Sequence, residues 1–272
     1  MHFVSRLRPR HAKGRTHDDK LEDQSVASQE SRQSSVLHVE KLNKLFPKKN
    51  QSKNEEIELE DLSTKLIPVI GKSRFMIMIH NLFTPEECAN LIEMGESYGY
   101  EEDWSDVSNC GRVDITDTDL AELWFERVLQ VVEGTPVKEK LASAPWTIKD
   151  GDPAARSHFR IVGINERLRF LRYLPGQYYD RHREDQYTRG AEFGEKKGET
   201  SQLTFLLYLN NDKMKGGETR ISSTDRYLDV TPETGSVLIF DQEIFHEVNP
   251  LINGKQYVIR SDFMYANIRD GK

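Results

Sequence analysis

Residues 1–70 are a nearly unbroken polar stretch of Lys, Arg, Ser, Gln and Glu with almost no aromatics. Basic residues dominate as far as Lys53, and the block 55–61 then reverses the sign. Such a segment buries too little apolar surface to offset chain entropy, and it reads as a disordered polar tail. From Lys72 the pattern changes. The apolar run 75–79 has the length of a strand. Residues 84–87 read as a helix start, with Thr84 as N-cap, Pro85 in the first helical position and Glu87 at the capping-box position. Cys88, Leu91, Ile92 and Gly95 continue one face of that helix. A second helix opens around 116–119, with Leu120, Leu123, Trp124 and Val128 as its apolar stripe. Beyond Arg167 helical periodicity stops. Short β-prone runs follow at 168–173, 203–209, 236–240 and 256–263, separated by turns such as Pro175-Gly176 and Gly216-Gly217. Helices first and strands afterwards predict an α+β domain at 71–272, built on a jelly-roll barrel behind the tail at 1–70.

Composition narrows this picture. In 272 residues, 36% are hydrophobic and 31% charged, which suits one sizeable domain with a polar appendage. The net charge of -7 argues against nucleic acid as a partner. Cys88 and Cys110 show no metal-binding spacing and fit a reducing compartment. No apolar run approaches membrane-spanning length, so no membrane partner is expected. The N-terminus has no apolar signal core, but it is basic, with no acid before Asp18. The expected location is cytoplasmic or nuclear, with a mitochondrial presequence as the alternative reading of the basic start. The oligomeric state stays open.

The chemistry concentrates in the stretch 173–185. His182 and Glu184 lie two residues apart after a strand-like segment, a spacing that places both side chains on one strand face. His246 follows another apolar run, 236–240. Two histidines and one carboxylate, with other coordination positions open, are the ligand set of non-heme Fe(II) oxygenases. Asp185 is the competing carboxylate, but it falls on the opposite strand face from His182.

The segments 165–173, 175–179, 203–210, 216–219, 232–240 and 246–265 together resemble the catalytic domain of prolyl 4-hydroxylases, in order and spacing, over roughly 74–268. The resemblance implies a double-stranded β-helix using Fe(II), 2-oxoglutarate and dioxygen, with L-ascorbate as an accessory reductant. His182, Glu184 and His246 would hold the iron. The implied reaction is hydroxylation of an unactivated C–H bond with release of succinate and CO2. A prolyl residue in a protein is the family's usual target, and a small molecule is the other candidate substrate. The family usually has Asp where Glu184 stands, and Lys where Gln256 stands. For the far carboxylate of 2-oxoglutarate, Arg260 shares the parity of Gln256, Lys255 is its neighbour, and Gln256 offers a neutral hydrogen bond. A pair between Arg260 and Asp262 is the structural alternative. Tyr208 and Tyr173 would line the same pocket.

The departures at Glu184 and Gln256 leave a second reading, in which the barrel survives as a catalytically impaired binding or scaffold module. A third is a jelly-roll protein holding another metal without 2-oxoglutarate. The polar segment 186–200 reads either as a lid over the site or as a solvated loop.

Overall fold

The computed structural model describes residues 56–72, 74–104, 108–142 and 159–268. Its strands in chain order are β1 (Glu58–Asp61), β2 (Met76–His80), β3 (Glu101–Trp104), β4 (Asn109–Thr116), β5 (Phe159–Ile164), β6 (Arg167–Tyr173), β7 (Tyr179–His182), β8 (Thr200–Tyr208), β9 (Lys215–Gly216), β10 (Thr219–Ser222), β11 (Tyr227–Val230), β12 (Val237–Asp241), β13 (His246–Val248), β14 (Leu251–Asn253) and β15 (Gln256–Asn267). A large antiparallel sheet runs β1-β2-β12-β8-β15-β6-β4-β3, with β5 also on β15. A four-stranded sheet, β11-β10-β13-β7, faces it. One apolar cluster joins Met76, Met78, Leu206, Leu238 and Phe240 of the large sheet to Ile221 and Val230 of the small one, so the two sheets close on a shared core. This is the jelly roll.

The helices α1 (Pro85–Tyr98), α2 (Thr118–Val132) and α3 (Pro136–Ala142) accompany the large sheet. The capping box of α1 forms as expected: Glu87 N–H donates to Thr84 Oγ1, and Thr84 N–H donates to Glu87 Oε2. Glu87 also receives Arg127 of α2 through both guanidinium nitrogens, at 3.0 and 2.7 Å. Asp117 caps α2 by accepting from Leu120 N–H. Trp124 of α2 is fully buried, stacks on Phe205 of β8 at 5.8 Å between ring centroids, and meets Phe83 edge-on. The apolar side chains of β8 therefore divide, with Phe205 toward the helix and Leu206 and Tyr208 toward the barrel interior. Cover on both faces explains why the β8 sequence is a continuous apolar run rather than an alternation.

The domain starts earlier than position 71. The tail expected at 1–70 lies outside the described residues up to 55, but 56–70 is ordered. β1 pairs in register with β2, Glu58 opposite His80 and Asp61 opposite Ile77. Single helical turns at Ser63–Leu66 and Ile67–Ile70 follow. Leu62 and Leu66 enter the apolar cluster beside Met76 and Met78. The acidic block is an edge strand, and charge is what a sheet edge carries to discourage unwanted pairing. Two of its acids are paired: Glu60 with Lys65 at 2.5 Å and Asp61 with Lys140 at 2.8 Å.

Leu66 is fully buried. Leu66→Ala is expected to lower the free energy of unfolding by about 2–5 kcal/mol in a denaturant titration. A change below about 0.5 kcal/mol would mean that 56–70 is no part of the domain.

Candidate metal centre

Strands β7 and β13 run antiparallel, and His182 stands directly opposite His246 in the ladder. Opposed residues in such a pair project from the same face, so the two imidazoles meet with ring centroids 4.3 Å apart. β7 ends at His182, and Glu184 lies just beyond it. The parity expectation for Glu184 thus acts through the continuing chain rather than through a regular strand. The Glu184 backbone is pinned where its N–H donates to Gln242 O at 3.2 Å. Glu184 Oε1 then lies 3.8 Å from His182 Nε2 and 3.8 Å from His246 Nε2. The ligating atoms of all three side chains fall within 4.8 Å of one another.

The protonation states suit a metal. His182 Nδ1 meets Asp180 O at 2.7 Å, and His246 Nδ1 meets Ile244 O at 3.1 Å. A carbonyl only accepts, so Nδ1 carries the proton and Nε2 keeps its lone pair toward the centre. Burial and the neighbouring His182 push His246 down to about 4, leaving it neutral at physiological pH. Burial alone would raise the Glu184 carboxyl, but Arg260 and the two histidines outweigh it and hold the group well below the usual carboxylate range. Two imidazoles whose Nδ1 atoms face carbonyls and an ionised carboxylate, arranged around one point, fit a divalent metal such as Fe(II).

A cavity of about 40 Å³ leads inward from this centre, lined by Tyr173, Tyr208, Thr219, Val248, Gln256 and Val258 at its inner end. Tyr208 and Tyr173 both line it, and Tyr208 shares a 2.8 Å hydrogen bond with Thr219. Thr219 had no signal beyond its place after the Gly216-Gly217 turn. Gln256 donates to Gly217 O at 2.8 Å. Lys255 is exposed and does not line the cavity. Arg260 does line it, but its Nη2 is held by Glu184 Oε2 at 2.7 Å and Asp262 Oδ1 at 2.9 Å. The two arginines of the cavity, Arg169 and Arg260, face each other across β6 and β15, four residues along each strand from the opposed pair Tyr173 and Gln256. For 2-oxoglutarate the hydroxyl donors of the inner end fit. A cation for its far carboxylate is missing from that end among the described residues.

Outward, the centre borders a cleft of about 540 Å³ that includes His182, Glu184, Tyr179, Tyr187, Phe193, Arg167 and Arg183. The segment 186–200 forms one wall and is tied down. Arg189, nearly fully buried, places both terminal nitrogens on Glu166, at 2.6 and 2.5 Å, and its Nε lies 3.0 Å from Glu199. Thr188 bridges to Thr200, and Ser201 N–H donates to Tyr187 O. Both readings of this loop left out the clamp.

Residues 168–261 match the 2OG-Fe(II) oxygenase superfamily. The chain is 37% identical over 122 residues to a prolyl 4-hydroxylase candidate of Acanthamoeba polyphaga mimivirus, covering 41% of this chain and 48% of that protein. It is 30% identical over 93 residues to a PKHD-type hydroxylase of Rippkaea orientalis, covering 34% and 40%. The matched stretch thus spans half or less of these curated relatives. A solved prolyl-4-hydroxylase of Pseudomonas putida aligns at 15% identity and a TM-score of 0.48, over 74% of this chain and 96% of that one. His182, Glu184 and His246 all fall within the stretch 168–261 that matches the 2OG-Fe(II) oxygenase superfamily.

Removing one partner of a buried ion pair strands the other charge. Arg189→Ala should therefore loosen the wall, and limited trypsin digestion should cut after Lys196 or Lys197 well before it cuts wild type. Equal cleavage rates in the two proteins would show that the clamp does not hold the loop.

Proposed function

We propose that this domain is an Fe(II)- and 2-oxoglutarate-dependent dioxygenase that hydroxylates an unactivated C–H bond, with succinate and CO2 as co-products. The observation that carries the reading is the convergence of His182, Glu184 and His246 on one point within the segment that matches the superfamily. Bound Fe(II), with 2-oxoglutarate and dioxygen, would supply the oxidising chemistry, and L-ascorbate belongs to the same reading as an accessory reductant.

The protein's own part is to hold, aim and exclude water. His182 and His246 present Nε2 because their Nδ1–H groups are committed to carbonyls. Glu184 presents Oε1, its other oxygen being taken by Arg260. No proton transfer by a side chain is needed, which agrees with a centre whose histidines already have their lone pairs exposed. The inner cavity offers the hydroxyls of Tyr208 and Thr219 to the cosubstrate. The outer cleft reaches the centre at His182 and Glu184, and Tyr179, Tyr187 and Phe193 give it apolar walls for the substrate. The substrate class suggested by the relatives' names is a prolyl residue in a peptide or protein, with a small molecule as the other candidate. The engagement of Glu184 by Arg260, together with the neutral inner end, favours one second reading: a catalytically impaired module that binds without turnover.

Anaerobic addition of Fe(II) and then 2-oxoglutarate should produce the weak visible charge-transfer absorption of the chelate, lost in His182→Ala and in His246→Ala. No absorption from wild type would defeat the dioxygenase reading, and a band without any succinate formation in air would favour the second. Because an ionic hydrogen bond is the stronger kind, Gln256→Lys should tighten 2-oxoglutarate by roughly tenfold or more in the same titration. An unchanged affinity would mean that the far carboxylate does not lie at the inner end.

A further inference from the structure

We propose that Arg260 is the positioning residue of the metal centre, turning the Glu184 carboxylate so that a single oxygen faces the two histidines. The proposal rests on the metal-site reading above but needs neither cosubstrate nor turnover.

Glu184 follows the end of β7, so no strand ladder fixes its direction. A glutamate has one more rotatable bond than an aspartate, and an unrestrained side chain would sample many rotamers. Four residues close a ring that removes this freedom. The Glu184 N–H donates to Gln242 O at 3.2 Å. Gln242 Nε2 donates to Asp262 Oδ1 at 2.7 Å. Asp262 Oδ1 accepts from Arg260 Nη2 at 2.9 Å, and the same nitrogen reaches Glu184 Oε2 at 2.7 Å. Glu184 is thus gripped at its backbone and at the end of its side chain by one connected network.

The anchors are themselves immobile. Arg260 and Asp262 lie on β15, with Arg260 paired to Arg169 on one side and Leu206 on the other. Gln242 is held further by Ser201 Oγ, at 3.0 Å from its Oε1. Asp262 is buried and gives Arg260 a second carboxyl contact, at 2.9 Å, besides the one to Glu184. Arg260 therefore has a carboxyl partner even when Glu184 gives its charge to a metal. The contact takes only Oε2, and Oε1 stays equidistant from both Nε2 atoms at 3.8 Å. Supporting shells of this kind orient metal ligands and are sensitive to substitution. The competing role, in which Arg260 occupies the carboxylate and keeps metal out, predicts the opposite effect of removing it.

The test is equilibrium binding of Co(II) or Mn(II) alone to the full chain, with the visible spectrum of the Co(II) form as a reading of coordination. Arg260→Gln should weaken binding by roughly tenfold to a hundredfold and alter the Co(II) spectrum, while the thermal melt stays cooperative. Arg260→Lys, which keeps a charge but offers a point donor instead of a fork, should fall between. In a Glu184→Asp background the shorter carboxylate no longer reaches Arg260, so the second substitution should add little. Binding by Arg260→Gln as tight as wild type or tighter overturns the proposal, as do fully additive losses in the double variant. Should Arg260→Gln not fold, Arg260→Lys decides the matter, several-fold weakening supporting the proposal and unchanged affinity overturning it. A wild-type protein that takes up no metal overturns the site reading itself, and this proposal with it.

Discussion

The pairing of β7 with β13 is the constraint on which the site depends. It sets His182 opposite His246 and aims both rings inward from the small sheet. Side chains alternate along a strand, so a slip of one residue would turn one histidine out of the barrel and dissolve the centre. The register is secured from elsewhere. β13 is also held by β10, with Ile221 opposite His246 and Thr219 opposite Val248. Ile221 is locked into the core shared with the large sheet. Packing between the sheets thus fixes the relative positions of the two histidines.

Charge is distributed unevenly inside this barrel. Arg169, Arg260, Glu184 and Asp262 crowd the metal end, where burial is offset by pairing. The opposite end of the cavity is neutral, with Tyr208, Thr219 and Gln256 hydrogen-bonded among themselves or to backbone. An anion with a charge at each end would meet opposite conditions at its two ends. The two departures from the prolyl 4-hydroxylase pattern are physically separate as well. Glu184 is compensated by a network that reaches it, and Gln256 has no compensating cation at its end of the cavity among the described residues.

The parts of the fold legible in the sequence were those buried on both sides. The runs 75–79, 203–209 and 236–240 coincide closely with β2, β8 and β12, because helices or edge segments cover one face and the small sheet the other. β10, β11 and β13 carry Arg220, Asp229 and Glu247 in segments of three or four residues, too short and too polar to show a period. The ordered start at 56–70 was hidden because the charges of an edge strand resemble those of a solvated tail. The three side chains that converge where β7 ends and β13 begins could be named from residue type and spacing. Of their supports, the pair between Arg260 and Asp262 was among the alternatives read from the sequence and is present at 2.9 Å, whereas Gln242 gains meaning only when the turn after β12 is brought beside Glu184 and β15.

X-ray absorption at the iron edge of the Fe(II)-loaded protein tests the central claim most directly, because it reads the atoms around the metal without requiring substrate or turnover. The account predicts outer-shell scattering from imidazole rings beside a light-atom oxygen shell at about 2.0–2.2 Å. It also predicts that substituting His182 or His246 reduces the imidazole contribution. A spectrum with no imidazole scattering, or one unchanged by either substitution, would contradict it.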